Sequence, residues 1–178
     1  MICFPIMHKQ RANKVIKLAY EKQFKYGIMA ELLFATGYRI GDVVKLKKKD
    51  VCNDYNVSLF FSEQKTGTRR YFNEADLPQS VIDYILSCDW QNYLFPSDMY
   101  TSKGKLKPIS TRQAKRVFHD IFSKLNKQQG AYGTHIFRKT YAYMEYKKGD
   151  IYRVKRKLGH KNISSTIKYL PEEIFVNE

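Results

Sequence analysis

The sequence predicts a mainly helical domain carrying one small three-stranded antiparallel sheet, an α+β arrangement. Three observations lead there. Apolar residues recur at helical spacing along most of the chain. The period changes to two over one short stretch, at Val57, Leu59 and Phe61. Glycine or proline stands where nearly every apolar run ends.

Taken in order, Gln10 to Tyr26 carries Val15, Ile16, Ala19, Tyr20 and Phe24 on one helical stripe, and Gly27 suits its end. Ile28 to Thr36 is apolar all round, which predicts a buried helix stopped by Gly37. A short helix, Ile40 to Leu46, follows. Asn53-Asp54 marks a turn, Lys65-Thr66-Gly67-Thr68 a hairpin tip, and Arg69 to Phe72 the return strand. Pro78 opens a helix through Leu86, and Trp90 to Pro96 reads as an anchored loop. Ser110 and Gln113 form a capping-box pattern ahead of the stripe Val117, Phe118, Ile121, Phe122 and Leu125. Helices from His135 to Lys147 and from Ile151 to Leu158 end at Gly149 and Gly159, and the last turns, Ser164 to Tyr169, stop at Pro171. There are no internal repeats or linkers, so residues 1–178 are expected to form a single domain.

The chain has 178 residues, enough for one well-buried domain and cramped for two. Its hydrophobic share of 43% excludes a disordered tail. No run approaches the ~18 apolar residues of a membrane span, and the first ten residues lack the basic start of a signal peptide. The expectation is a cytoplasmic protein with no membrane partner. Cys3, Cys52 and Cys88 are odd in number and widely spaced, which favours free thiols over disulfides or zinc. The charge is more informative: 32 Lys and Arg against 17 Asp and Glu leave +15. The basic residues fall in separate clusters that can converge on folding, a pattern suited to a nucleic-acid groove. Lys45, Lys47, Lys48, Arg69, Arg112, Lys115, Arg116 and Lys139 are the expected contacts to double-stranded DNA.

Six further residues are placed where chemistry is possible. His135 and Arg138, three apart at a helix start, share a face on which a planar guanidinium fork matches phosphate oxygens. Arg39 lies between two apolar helices, Lys65 at a hairpin tip, His160 after a helix-ending glycine, and Tyr169 near the chain end. Each has an ordinary structural explanation alone, such as a local Arg39–Asp42 ion pair worth about 0.3–0.5 kcal/mol.

Their order and surroundings change that balance. Leu33-Phe-Ala-Thr-Gly-Tyr-Arg-Ile-Gly-Asp-Val-Val-Lys-Leu resembles the first arginine box of the tyrosine recombinase (phage integrase) family. Gln64-Lys-Thr-Gly-Thr-Arg-Arg resembles its lysine hairpin, and Gly133-Thr-His-Ile-Phe-Arg-Lys-Thr-Tyr-Ala its H-x-x-R box. Leu158-Gly-His-Lys-Asn-Ile-Ser-Ser-Thr-Ile-Lys-Tyr-Leu resembles its final box, and all four stand in family order.

The resemblance implies a tyrosine recombinase catalytic-domain fold with Tyr169 as the nucleophile that forms a 3′-phosphotyrosine. Arg39 and Arg138 would hold the non-bridging oxygens, with His135 and His160 assisting and Lys65 protonating the leaving 5′-oxygen. It implies no metal and no cofactor. The implied partners are double-stranded DNA and other protomers on it, a tetrameric synapse from a chain monomeric when free, with accessory DNA-bending or directionality factors. Reactions of this class integrate, excise or invert mobile DNA. Lys139 stands where many members carry His, and the N-terminal core-binding domain usual in the family is expected to be missing from this chain. Two competing readings are a DNA-binding repressor or accessory protein on the same fold without catalysis, and a type IB topoisomerase.

Overall fold

The computed structural model describes residues 5–6, 9–52, 56–62, 67, 69–89, 92–100, 102, 106–125 and 133–175. The elements run α1 (Lys9–Lys22), α2 (Phe24–Thr36), α3 (Ile40–Val43), β1 (Leu59–Ser62), β2 (Arg69–Phe72), α4 (Gln79–Ser87), β3 (Pro96–Tyr100) and β4 (Leu106–Pro108). Then follow α5 (Thr111–Leu125), α6 (His135–Lys147), α7 (Ile151–Leu158) and α8 (Ile163–Ile167). The mainly helical α+β class is as expected.

Helix α2 is the axis of the core. It buries Tyr26, Ile28, Met29, Ala30, Leu32 and Leu33 on all sides, with α1, α4 and α6 packed around it. The break between α1 and α2 falls at Gln23, whose backbone is extended, and not at Gly27 as the sequence suggests. Gly27 lies inside α2 because the Tyr20 ring rests against it: a Cβ there would sit 2.2 Å from a ring carbon. Phe137 of α6 centres an aromatic cluster, 4.7 Å from Phe34, 4.9 Å from Phe118 and 5.4 Å from Phe122 between ring centroids. Such pairs add about 0.5–1.5 kcal/mol each beyond their buried area. At the other end of the chain's path, the Ile6 amide donates to Thr140 Oγ1 at 2.9 Å and ties the N-terminal segment to α6.

The sheet differs from expectation. Among the described residues there are two two-stranded antiparallel ladders, β1–β2 and β3–β4, in place of one three-stranded sheet. Leu59 pairs with Phe72 and Ser62 with Arg69, while Val57 joins only an isolated bridge to Cys52. The second ladder runs from Pro96 opposite Pro108 to Tyr100 opposite Leu106, with an irregularity between. Prolines lack the N–H that a ladder uses and are strand-breaking signals in sequence, which is why no strand is expected at either end of this ladder.

The turn from α6 to α7 is fixed by charge. Glu145 is buried and accepts from Lys148 Nζ at 2.8 Å and Arg153 Nε at 3.0 Å. Burial pushes its carboxyl up, but the two cations outweigh that and hold it below the usual range. Asp150 caps α7 by accepting from the Arg153 amide at 2.7 Å. The Ser110 cap is half of the expected box. Ser110 Oγ accepts from the Gln113 amide at 3.0 Å, but the Gln113 side chain reaches the Tyr26 hydroxyl instead.

Gly27→Ala should destabilise the fold by about 1–3 kcal/mol through overpacking against Tyr20, although alanine favours a helix interior by about 1 kcal/mol. Urea denaturation of both proteins checks this: a rise in midpoint would mean that the Tyr20 ring moves aside freely.

Candidate active site

The site grows from the N-terminus of α6. His135 opens the helix and Arg138 follows one turn later, turned inward and 1% exposed. Its Nη1 donates to the Gly37 carbonyl at 2.9 Å and its Nη2 to the Leu158 carbonyl at 2.8 Å. Gly37 caps the C-terminus of α2, and Leu158 is the last residue of α7. Both carbonyls therefore lie at the negative poles of helix dipoles, which suit a buried cation. Gly37 and Gly159 carry φ of 60° and 67°, the left-handed caps that let both helices stop where Arg138 can reach them.

Tyr169 follows α8, with its ring centroid 5.8 Å from Arg138 Cζ. The ring lies 5.1 Å from that of His160 and 6.3 Å from that of His135. Thr166, fully buried, joins two of these residues. Its Oγ1 pairs with His160 Nδ1 at 3.0 Å, and its carbonyl accepts from the Tyr169 amide at 2.9 Å. The threonine thereby orients the imidazole.

A cavity of about 320 Å³ opens beside this group, lined by Tyr38, Arg39, Asp42, Lys45, Thr111, Lys115, Thr134, His135 and Arg138. Arg39 immediately precedes α3 in extended conformation. The protein packed around the His135 ring lowers its pKa from the ordinary imidazole value, and the charges of Arg138, Arg39, Lys115 and Lys139 lower it further. His135 still presents a face to solvent. A cavity with two arginines, two lysines and an imidazole held toward its neutral form suits a bound anion beside a group that must give up a proton. Among the described residues, no group of three or more His, Cys, Asp or Glu gathers to hold a metal.

Of the six expected catalytic residues, the fold thus gathers Arg39, His135, Arg138, His160 and Tyr169, while Lys65 lies outside the described residues. Of the expected DNA contacts, Lys45 and Lys115 line the cavity. Arg69, Arg112 and Arg116 are exposed, and Lys139 is half-buried. Lys47 and Lys48 are engaged elsewhere. Lys47 Nζ lies 4.8 Å from the centre of the Tyr93 ring. Lys48 Nζ donates to the carbonyls of Leu86 at 2.5 Å and Cys88 at 2.8 Å, so its charge completes the end of α4. Sequence reasoning gave no role to Tyr38, Thr111 or Thr166. Only Thr166 left a signal, its place three residues before Tyr169 in the final box.

A model described as the phage integrase family matches residues 6–173. A tyrosine recombinase XerC of Staphylococcus epidermidis is 26% identical over 150 residues, covering 84% of this chain and 50% of that protein. A XerC of Staphylococcus aureus is 28% identical over 165 residues, covering 88% and 52%. The chain therefore spans about half the length of these curated relatives. Among solved structures, a XerA recombinase matches with TM-score 0.72 at 22% identity, over 99% of this chain and 65% of that one. A lambda integrase tetramer bound to a Holliday junction matches at 0.70 and 16% identity, over 97% and 49%. At these identities the likeness establishes the fold. No helix among the described residues is long and apolar enough to cross a membrane.

The lowered pKa of His135 has a measurable consequence. The unfolded chain binds this proton more readily than the folded one, so the stability that the neutral ring contributes is complete above about pH 6.5. It is lost as pH falls from there through the folded value. Urea melts of wild type and His135→Gln between pH 7.5 and pH 5 should show the wild type losing more stability on acidification. Parallel losses would mean that His135 titrates as it does in the unfolded chain.

Proposed function

The chain belongs to the phage integrase family, and from that membership we propose that it cuts and rejoins DNA strands through a phosphotyrosine formed on Tyr169. One observation carries the reading: Arg138, His135 and His160 surround the Tyr169 ring at the edge of a cationic cavity.

In this reaction the Tyr169 oxygen attacks phosphorus, the bond to the 5′-oxygen breaks, and the 3′ side remains on the enzyme. A phenol has an ordinary pKa of about 10 and attacks poorly at neutral pH. Arg138 and Arg39 favour the tyrosinate and stabilise the negative charge on the non-bridging oxygens as the phosphorus becomes pentavalent. His135, biased toward its neutral form, can take the phenolic proton directly or through a water. His160, oriented by Thr166, donates to the same oxygens. Lys65 supplies the proton that the departing 5′-oxygen needs. Attack by another 5′-hydroxyl reverses every step and returns the proton, so bond energy is kept without a nucleotide cofactor.

The substrate in this reading is double-stranded DNA, and the +15 charge supports it. The related lambda integrase structure is a tetramer on a Holliday junction. By analogy four protomers would assemble on paired sites, exchanging strands to integrate, excise or invert mobile DNA in the cytoplasm. Such sites are arranged for the reaction by accessory DNA-bending or directionality factors.

Two experiments test the chemistry. On a suicide DNA substrate in EDTA, wild type should form a covalent adduct visible on a denaturing gel. Tyr169→Phe should form none while binding DNA normally. An adduct from Tyr169→Phe would assign the nucleophile to another of the 14 tyrosines.

Lys65→Ala should be slow on ordinary DNA and regain its rate where the scissile 5′-oxygen is replaced by sulfur, because a thiolate leaves without a proton donor. Equal slowness on both substrates would remove Lys65 from that role.

A further inference from the structure

Among the described residues outside the cavity, Arg70 stands out. It belongs to β2, in a strand whose neighbours Arg69 and Tyr71 are exposed, yet it is itself 5% exposed. Its guanidinium enters the core between three aromatic rings, with Cζ 4.8 Å from the centre of Tyr38, 5.0 Å from Phe72 and 5.6 Å from Tyr141. Its Nη2 donates a short hydrogen bond to the Thr36 carbonyl.

That carbonyl is next to the one held by Arg138. Thr36 takes Arg70 from β2, and Gly37 takes Arg138 from α6. Tyr141, one turn after Arg138, seals the same place, since a Cβ on Gly37 would lie 2.6 Å from its ring. Tyr38 then presents its ring to Arg70 and also lines the cavity. The next residue is Arg39. Thus three consecutive residues, Thr36 to Tyr38, are gripped from both sides immediately before the arginine that the cavity exposes.

We propose that Arg70 is a positioning residue: it fixes the Thr36–Tyr38 turn and thereby aims Arg39 at the scissile phosphate. The proposal rests on the recombinase reading above and assigns Arg70 no contact with DNA. The residue type fits the task. A planar guanidinium stacks on ring faces while its fork directs an N–H at a carbonyl, and a lysine ammonium, with equal charge and no plane, should replace it poorly. A purely stabilising role gives little reason for a charge here, since buried ion pairs can often be replaced whole by packed apolar side chains without loss.

The test uses the full chain, single-turnover adduct formation on the suicide substrate, DNA affinity and thermal unfolding. Arg70→Met should bind DNA within a fewfold of wild type and cleave about tenfold to a hundredfold more slowly. Arg70→Lys should show the same deficit, and it carries the test if Arg70→Met does not fold. The decisive comparison is a double-mutant cycle with Arg39→Lys. If Arg70 acts through Arg39, the second substitution adds little to the first, whereas independent damage to the fold multiplies the two losses. A rate unchanged in both Arg70 variants, or multiplicative losses in the cycle, overturns the positioning role while leaving the recombinase reading intact. A wild-type chain that forms no adduct overturns both.

Discussion

Two neighbouring main-chain carbonyls, those of Thr36 and Gly37, organise this molecule. Each accepts a hydrogen bond from a buried arginine, and the two arginines arrive from opposite sides, Arg70 from β2 and Arg138 from α6. Burying an ion costs several kcal/mol even after the protein relaxes. Hydrogen bonds to a charged group return about 1.5–3 kcal/mol each, and a desolvated cation over a ring about 2 kcal/mol. The three rings around Arg70 and the two helix-end carbonyls on Arg138 each return part of that cost. Remove the turn at Gly37, and both cations lose a principal anchor together.

The rest of the site follows from that anchor. Carbonyl oxygens carry partial charges only, so these bonds hold Arg138 without cancelling its charge. By reaching Leu158 as well, Arg138 holds the end of α7 that Gly159 stops, just before His160. Thr166 passes the placement on to Tyr169. At the far end of α6, Glu145 between Lys148 and Arg153 fixes the angle at which α7 departs.

Much of this was legible because it is local. The bounds of α6 and α7, the stop at Gly37 and the stop at Gly159 follow from apolar spacing and from glycines that must adopt positive φ. The catalytic candidates were legible through family-ordered boxes, which carry chemistry across long separations without requiring the fold to be solved. What failed was nonlocal. Gly27 looks like a helix end until Tyr20 is seen against it. Gln113 fits a capping box until Tyr26 offers its hydroxyl. Lys48 reads as a DNA contact until the end of α4 arrives beneath it, and Arg70 looks like one more basic residue until three rings close around it. In each case the deciding partner lies beyond the reach of a periodicity argument.

The double duty of Arg138 bears on how such a chain can change over generations. If the proposed recombinase activity holds, a lineage that abandoned strand exchange and kept only DNA binding would still need this guanidinium, because it joins the ends of α2 and α7. Selection for a folded product would preserve it long after selection for turnover had lapsed. The Tyr169 hydroxyl is in a different position: among the described residues no hydrogen bond holds it, and the contacts seen are to its ring. Drift to phenylalanine would keep the ring that packs against His135 and His160 and lose only the oxygen. In descendants of this chain the arginine would therefore record ancestry, and the phenol oxygen would record whether the chemistry was still in use.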